Sequence, residues 1–296
     1  SVNYTNSNGC TAASAFASTA TTVSPVSVGG TATPTASNVC YNSNTTVSLS
    51  GNTGTIQWQQ SADGSTGWAN VTGGSGATTA TYTTPNLTTT TYYRAVVTSG
   101  VCAAAYSSTA TVTVNPTTVG GTVAGSASVC SGTNSTTLTL SGNTGSITKW
   151  QSSASSSFTS PTDIANTTNT LVATNLTATT YYRAVVTSGV CTAANSSTGT
   201  VTVSPVSVAG TISGAGSTCN GIAKTLTLSG NTGTIQWQVS TTSSSTGFAD
   251  ISGATASTYT VPTTTVAGTY YYQAVVTSGV CNPATTASVT VTVNAL

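Results

Sequence analysis

The octapeptide Ala-Val-Val-Thr-Ser-Gly-Val-Cys occurs three times in the chain, at Ala95–Cys102, Ala184–Cys191 and Ala274–Cys281. A second string, Leu-Ser-Gly-Asn-Thr-Gly, also recurs three times, at Leu49–Gly54, Leu140–Gly145 and Leu228–Gly233. Successive octapeptides begin 89 and 90 residues apart. A period of about 90 residues is too long for a helical-pair solenoid unit and matches one small β-sandwich. The chain must therefore fold as the same module several times over.

Module boundaries fall at a recurring proline segment: Ser24–Gly30 (SPVSVGG), Asn115–Gly121 (NPTTVGG) and Ser204–Gly210 (SPVSVAG). Each is a strand end, a proline that fixes φ, one or two β-branched residues and a glycine. The expected domains are residues 27–116, 117–205 and 206–296, preceded by residues 1–26 as the C-terminal part of a truncated repeat. Asn8-Gly9-Cys10 lines up with Gly100-Val101-Cys102. The chain, which starts at Ser1 without a signal peptide, reads as a mature product or as a fragment cut from a longer array. The competing reading is a natural N-terminus whose strand completes a neighbouring chain. Short joints predict repeats arranged end to end, with Val26, Val28, Val119, Val206 and Val208 packing against the next repeat.

Within a repeat, apolar residues alternate with Thr and Ser, as in strands with one buried face. Val47-Ser48-Leu49, Ile56-Gln57-Trp58 and Thr111-Val112-Thr113-Val114 are examples. No segment has helical periodicity. About seven short strands with regular turn signals predict an all-β fold of tandem immunoglobulin-like β-sandwiches with Greek-key connections. In the second repeat, Ile147-Thr148-Lys149-Trp150 holds one residue more than Ile56-Gln57-Trp58. The extra residue puts Trp150 on the wrong face unless a bulge absorbs it.

Charge is almost absent. Arg94, Arg183, Lys149 and Lys224 face Asp63, Asp163 and Asp250, with no Glu, His or Met, for a net charge of +1. Such a chain has no field to attract nucleic acid or an acidic membrane, so neither nucleic-acid binding nor membrane insertion is expected. No run reaches the ~20 apolar residues that span a bilayer. Without His or Glu, no acid–base pair, nucleophile triad or metal cluster can be assembled, and neither an enzyme nor a cofactor is expected. One or two Asp per repeat are too few for a calcium-stiffened rod. Lys149 and Lys224 are not equivalent positions, which argues against isopeptide cross-links. The Thr-x-Thr runs read as outer strand faces rather than an ice-binding surface.

Each full repeat carries two cysteines: Cys40 and Cys102, Cys130 and Cys191, Cys219 and Cys281, separated by 62, 61 and 62 residues. With no His and no CxxC, structural disulfides are the expected use, and an oxidising compartment follows. Buried free thiols are the competing reading. The matched spacing predicts Cys40–Cys102, Cys130–Cys191 and Cys219–Cys281, with Cys10 unpaired.

Trp58, Trp150 and Trp237 lie 18 to 20 residues after the first cysteine of each repeat, and Tyr92, Tyr181 and Tyr271 open the penultimate strand. This pattern resembles the immunoglobulin fold, which implies a core Trp and a corner Tyr at those six positions. It departs from antibody domains in one respect. Arg94, Arg183 and Gln273 occupy the place of the second cysteine, which comes eight residues later after a Ser-Gly turn. The bridge is therefore expected to tie the hairpin at one end of the sandwich to the repeat's first segment. In this layout the repeats are similar to the tandem immunoglobulin-like or PKD-like modules of Bacteroidota surface proteins, including gliding-motility adhesins exported by the type IX route. That resemblance implies a secreted, cell-surface location and a structural role in adhesion: a stalk or filament segment that presents a binding tip. The competing class is a carbohydrate-binding array attached to a secreted enzyme or adhesin, for which Trp68, aligned with Phe158 and Phe248, and the unmatched Tyr41 and Tyr106 are the candidate aromatics.

The expected partners are neighbouring repeats, identical chains in a bundle or filament, and a surface glycan. A surface this poor in charge lacks the repulsion that keeps proteins apart. Self-association that changes little between low and high salt is expected, and sedimentation velocity at both ionic strengths measures it.

Overall fold

The computed structural model describes residues 22–296, and every regular element among them is a β-strand. The chain divides at Asn115/Pro116 into two compact units, the first ending with repeat one and the second holding repeats two and three.

Repeat one shows the plan. Its strands are β1 (Thr31–Pro34), β2 (Asn38–Cys40), β3 (Thr46–Ser50), β4 (Thr55–Ser61), β5 (Ala69–Asn70), β6 (Thr81–Thr83), β7 (Thr91–Thr98), β8 (Ala105–Tyr106) and β9 (Ala110–Asn115). One sheet runs β1-β3-β6; the other runs β2-β9-β7-β4-β5, with β8 added to β7. Pairing is antiparallel except for β2, which runs parallel to β9 with Cys40 opposite Asn115. Repeats two and three repeat both sheets and this parallel pair. The fold is an all-β tandem of immunoglobulin-like sandwiches.

Two-residue periodicity builds the core. In β3, Val47 and Leu49 point inward while Thr46, Ser48 and Ser50 face out or lie at the margin. Trp58, Trp150 and Trp237 are fully buried. Each indole N–H donates to a backbone carbonyl, of Thr79, Thr168 and Ala256 respectively, at 2.9 Å. The polar end of each Trp is thereby satisfied, and its apolar area contributes about 4–6 kcal/mol of transfer free energy. The bulge in repeat two lies between Ile147 and Lys149, which returns Trp150 to the register opposite Ala184 that Trp58 holds opposite Ala95.

The core tyrosines are not those read from the sequence. Tyr92, Tyr181 and Tyr271 are only half-buried, and the residue after each, Tyr93, Tyr182 and Tyr272, fills the core. The strand's alternation decides this. Tyr93 shares its face with Ala95 and Val97, all fully buried, so Tyr92 must point to the other face. Tyr93 packs on Tyr82 at 5.8 Å between ring centroids, and Tyr82 stacks on Trp58 at 6.4 Å. Repeat three has the same trio, Tyr272, Tyr259 and Trp237, whereas repeat two places Leu171 at the middle position.

Tyr93→Ala should cost about 3–5 kcal/mol of unfolding free energy, in the range of a large core aromatic, and Tyr92→Ala clearly less. Urea denaturation of the two variants measures the order, which reverses if Tyr92 is the core residue.

Candidate functional site

One feature that distinguishes this chain from a plain sandwich is the joint between repeats two and three. That joint lies inside the second unit. For each repeat, the head is the end where the chain comes in and the foot is the end where it leaves.

The first strand of repeat two, Thr122–Ala124, pairs in the smaller sheet. At Gly125 the chain then crosses to the other sheet. Gly125 has φ +94°, and a side chain there would strike the Thr137 carbonyl. Beyond the crossing, Ala127–Cys130 runs parallel to the last strand, Gly199–Ser204, in the register Cys130 opposite Ser204. That register carries the first cysteine to the foot of its repeat.

The second cysteine sits at the head. In repeat three it closes the turn Ser278–Cys281, where the Cys281 N–H donates to the Ser278 carbonyl at 2.9 Å. Gly279 turns with φ +52°, and any Cβ there would lie 2.0 Å from Ser204 Oγ, so the linker and this turn meet at a point only glycine permits. The linker then fastens to the head of repeat three. The Ser278 N–H donates to Ser207 Oγ at 2.9 Å, and Val208 and Thr232 exchange two backbone hydrogen bonds of 3.0 and 3.2 Å. Cys281 Sγ lies 3.1 Å from the Pro205 carbonyl oxygen and 3.6 Å from that of Ser204.

Cys130 and Cys281 thus both lie beside Ser204, and they are joined in a disulfide with Cα atoms 4.9 Å apart. The bond links the foot of repeat two to the head of repeat three. Cys40 and Cys191 are also held in disulfides, while Cys102 and Cys219 are free.

These facts overturn the pairing expected from spacing: Cys40–Cys102, Cys130–Cys191 and Cys219–Cys281 do not form. In repeat two, Cys130 is level with Ser204 at the foot, and Cys191 Sγ lies 3.3 Å from the Pro116 carbonyl oxygen at the head. The eight-residue strand Thr180–Thr187 runs between those ends, a length of roughly 26 Å. A disulfide tolerates a Cα separation of only about 4–7 Å. The bridge was expected to meet the repeat's first segment, but the crossing at Gly125 takes that segment's cysteine to the far end. The expectation that Cys10 is unpaired lies outside the described residues.

The linker valines do not seal the joint. Val206 and Val208 remain 55 and 46 % exposed. Serine hydroxyls, backbone bridges and the disulfide hold it instead. The head of repeat one repeats the arrangement, with the Ser99 N–H donating to Ser27 Oγ at 2.9 Å; in repeat two the Ser188 N–H donates to Thr118 Oγ1 at 3.0 Å.

Most of the charged side chains join a polar ladder across the larger sheet. In repeat one the Arg94 Nε–H donates to Gln59, whose amide donates to Asn70. Repeat two has Arg183, Gln151 and Asp163, with Lys149 closing the only ion pair among the described residues at 2.6 Å. The hydrogen bond from Lys149, then that from Gln151, holds the Asp163 carboxyl below its usual range. Repeat three has Gln273, Gln238 and Asp250. Asp63 instead ties its own loop. The hydroxyl and N–H of Thr66, the Ser65 N–H and the Ser61 hydroxyl hold its carboxyl well below the carboxylate range.

Arg94 also lies between two rings, 4.3 Å from the Trp68 centroid and 4.2 Å from that of Tyr106. Arg183 lies over Phe158 alone, and repeat three has Gln273 at that position. Trp68 and Tyr106 thus meet through Arg94, a grouping the sequence reading did not make, although Tyr106 stands where the other repeats have Asn195 and Thr285. Tyr41 follows Cys40 at the foot of repeat one, where its N–H donates to the Asn115 carbonyl, and does not join them. Among the described residues no group of three His, Cys, Asp or Glu side chains could hold a metal ion, and no helix is long and apolar enough to cross a membrane.

Residues 28–116, 119–205 and 208–295 each match one family, described as Domain of unknown function (DUF8696). The chain belongs to the DUF8696 family. No curated protein matches it significantly. Among solved structures, a three-immunoglobulin segment of titin, domains I67–I69, superposes with a TM-score of 0.54 at 13 % identity, covering 93 % of this chain and all of that one. Immunoglobulin domains 1–5 of Sidekick-1 give 0.40 at 12 % identity, covering 93 % of this chain and 60 % of that one. A bacterial ice-binding adhesin gives 0.36 at 15 % identity, covering 88 % and 95 %. The likeness to titin shows the fold of these DUF8696 repeats, and the disulfides fit an oxidising compartment.

Pepsin digestion of the unreduced protein, at a pH that keeps thiols protonated and unscrambled, should release a linked peptide pair containing Cys130 and Cys281. Reducing that bond should lower the stability of repeats two and three by about 5 kcal/mol in the chain-entropy model for a loop of this size, measured by denaturation with and without reductant.

Proposed function

We propose that this array of DUF8696 repeats is a spacer: a stalk or filament segment of an extracellular adhesin that holds a binding tip away from a bacterial surface. The observation that carries the reading is the Cys130–Cys281 bond, placed across a joint rather than within a repeat. A binding module needs its bridge inside the fold, where it fixes a site. A spacer needs it between folds, where it limits bending. Three repeats of one plan suit the same role, because a specific site requires only one copy. The type of surface protein is that implied by the resemblance to Bacteroidota gliding adhesins, and the role is non-enzymatic.

A carbohydrate-binding role has one observation in its favour, the Trp68–Arg94–Tyr106 stack that only repeat one possesses. Its rings already give a face each to the guanidinium, which leaves less of them for a sugar.

Small-angle scattering tests the spacer. Three repeats in line should have a maximum dimension on the order of 110–130 Å, and reduction should broaden the distance distribution as the joint loosens. A maximum dimension near that of a compact globule of this mass overturns the spacer. Binding of the full chain to a polysaccharide array, lost in Trp68→Ala, establishes the carbohydrate reading in its place.

A further inference from the structure

Among the described residues two cysteines are free, and they are not equivalent to each other. Cys219 is the foot cysteine of repeat three, and Cys102 is the head cysteine of repeat one. We propose that they are complementary halves of a further joint: the Cys219 thiol takes the head cysteine of a following DUF8696 repeat, and the Cys102 thiol takes the foot cysteine of a preceding one. This holds whether the array is a spacer or a glycan binder.

Each free thiol already sits in the environment of a bonded counterpart. Cys219 lies in the parallel pair of Gly216–Cys219 with Val289–Asn294, opposite Asn294, as Cys130 lies opposite Ser204. The next N–H donates across the pair in both cases, from Asn220 to Asn294 at 2.8 Å and from Ser131 to Ser204 at 2.9 Å. Cys219 is exposed. At the other site, the Cys102 Sγ lies 3.4 Å from the Pro25 carbonyl oxygen and 3.8 Å from that of Ser24. The Cys281 Sγ meets Pro205 and Ser204 in the same way and is bonded. Gly100, like Gly279, brings its turn against a linker serine, with a Cβ position 2.0 Å from Ser24 Oγ. Both halves of the joint are thus preformed, each with one sulfur in place.

Closure needs an oxidant, and a small-molecule disulfide supplies it. The Cys219 thiolate attacks oxidised glutathione, forms a mixed disulfide and releases one glutathione thiolate. The incoming head-cysteine thiolate attacks the Cys219 sulfur and releases the second. Two protein thiols lose two electrons, glutathione disulfide gains them, and the two protons end on the released glutathiones.

The neighbouring repeat comes either from a second copy of the chain or from the same polypeptide, and two arms separate these. In the first, the full chain carrying Cys10→Ser, which removes the other head-type cysteine, is incubated with oxidised glutathione and analysed on non-reducing gels with peptide mapping. A second copy as neighbour gives a ladder of dimers, trimers and larger species joined by Cys102–Cys219, and Cys102→Ser or Cys219→Ser loses all of them, the dimer included. In the second, the chain is extended after Leu296 by another copy of residues 206–296. A neighbour in the same polypeptide gives a monomer in which Cys219 is bonded to the added repeat's head cysteine. Head-to-foot bonding in either arm supports the joint. Homotypic Cys102–Cys102 and Cys219–Cys219 links, a random mixture, or glutathione-capped monomers in both arms overturn it.

Discussion

The arrangement of this chain depends on a pairing of three or four residues: the short parallel ladder between the second strand of each repeat and its last. This parallel pair requires the chain to leave one sheet, cross the edge of the sandwich and run beside its own C-terminal strand. The crossing at Gly125 and its counterpart at Gly214, both in left-handed conformations, make it feasible. Because the ladder is parallel, the second strand of the repeat ends where the repeat ends, and in repeat two its cysteine is delivered to repeat three.

A second constraint is the scarcity of charge. The sheet faces that in other proteins carry Lys and Glu are covered by Thr, Ser, Gln and Asn, and the cross-strand contacts become amide ladders such as Gln273–Gln238–Asp250. The guanidinium of Arg94 between Trp68 and Tyr106 shows the same economy, since a single cation organises two large rings. Stability then rests on the buried Trp residues, the alternating Val and Leu of the core, and backbone pairing, all of which depend little on ionic strength.

Much of this was legible in the sequence, for identifiable reasons. Repeats of about 90 residues and alternating apolar residues specify sandwiches, and the one-residue insertion before Trp150 announces a bulge, because side-chain direction in a strand has a period of two. The tyrosines failed on the same rule. With Tyr92 and Tyr93 adjacent, one must face in and one out, and Ala95 and Val97 further along the strand already select Tyr93. The cysteine pairing was hidden for another reason. Equal spacing within each repeat favours an internal bridge, whereas the separation of 151 residues between Cys130 and Cys281 has meaning only once the parallel ladder is known. The Arg94 grouping required Trp68 and Tyr106, which are 38 positions apart, to be brought to one guanidinium.

The disulfide between Cys130 and Cys281 has a topological consequence. It closes the polypeptide between those residues into a covalent ring that contains most of repeat two, most of repeat three and the linker between them. A ring must be opened twice before it falls into two pieces. A single hydrolysed peptide bond at Val206, in the exposed connection that proteases reach most readily, therefore leaves both halves attached through sulfur, and the array outlasts a first cut to its backbone.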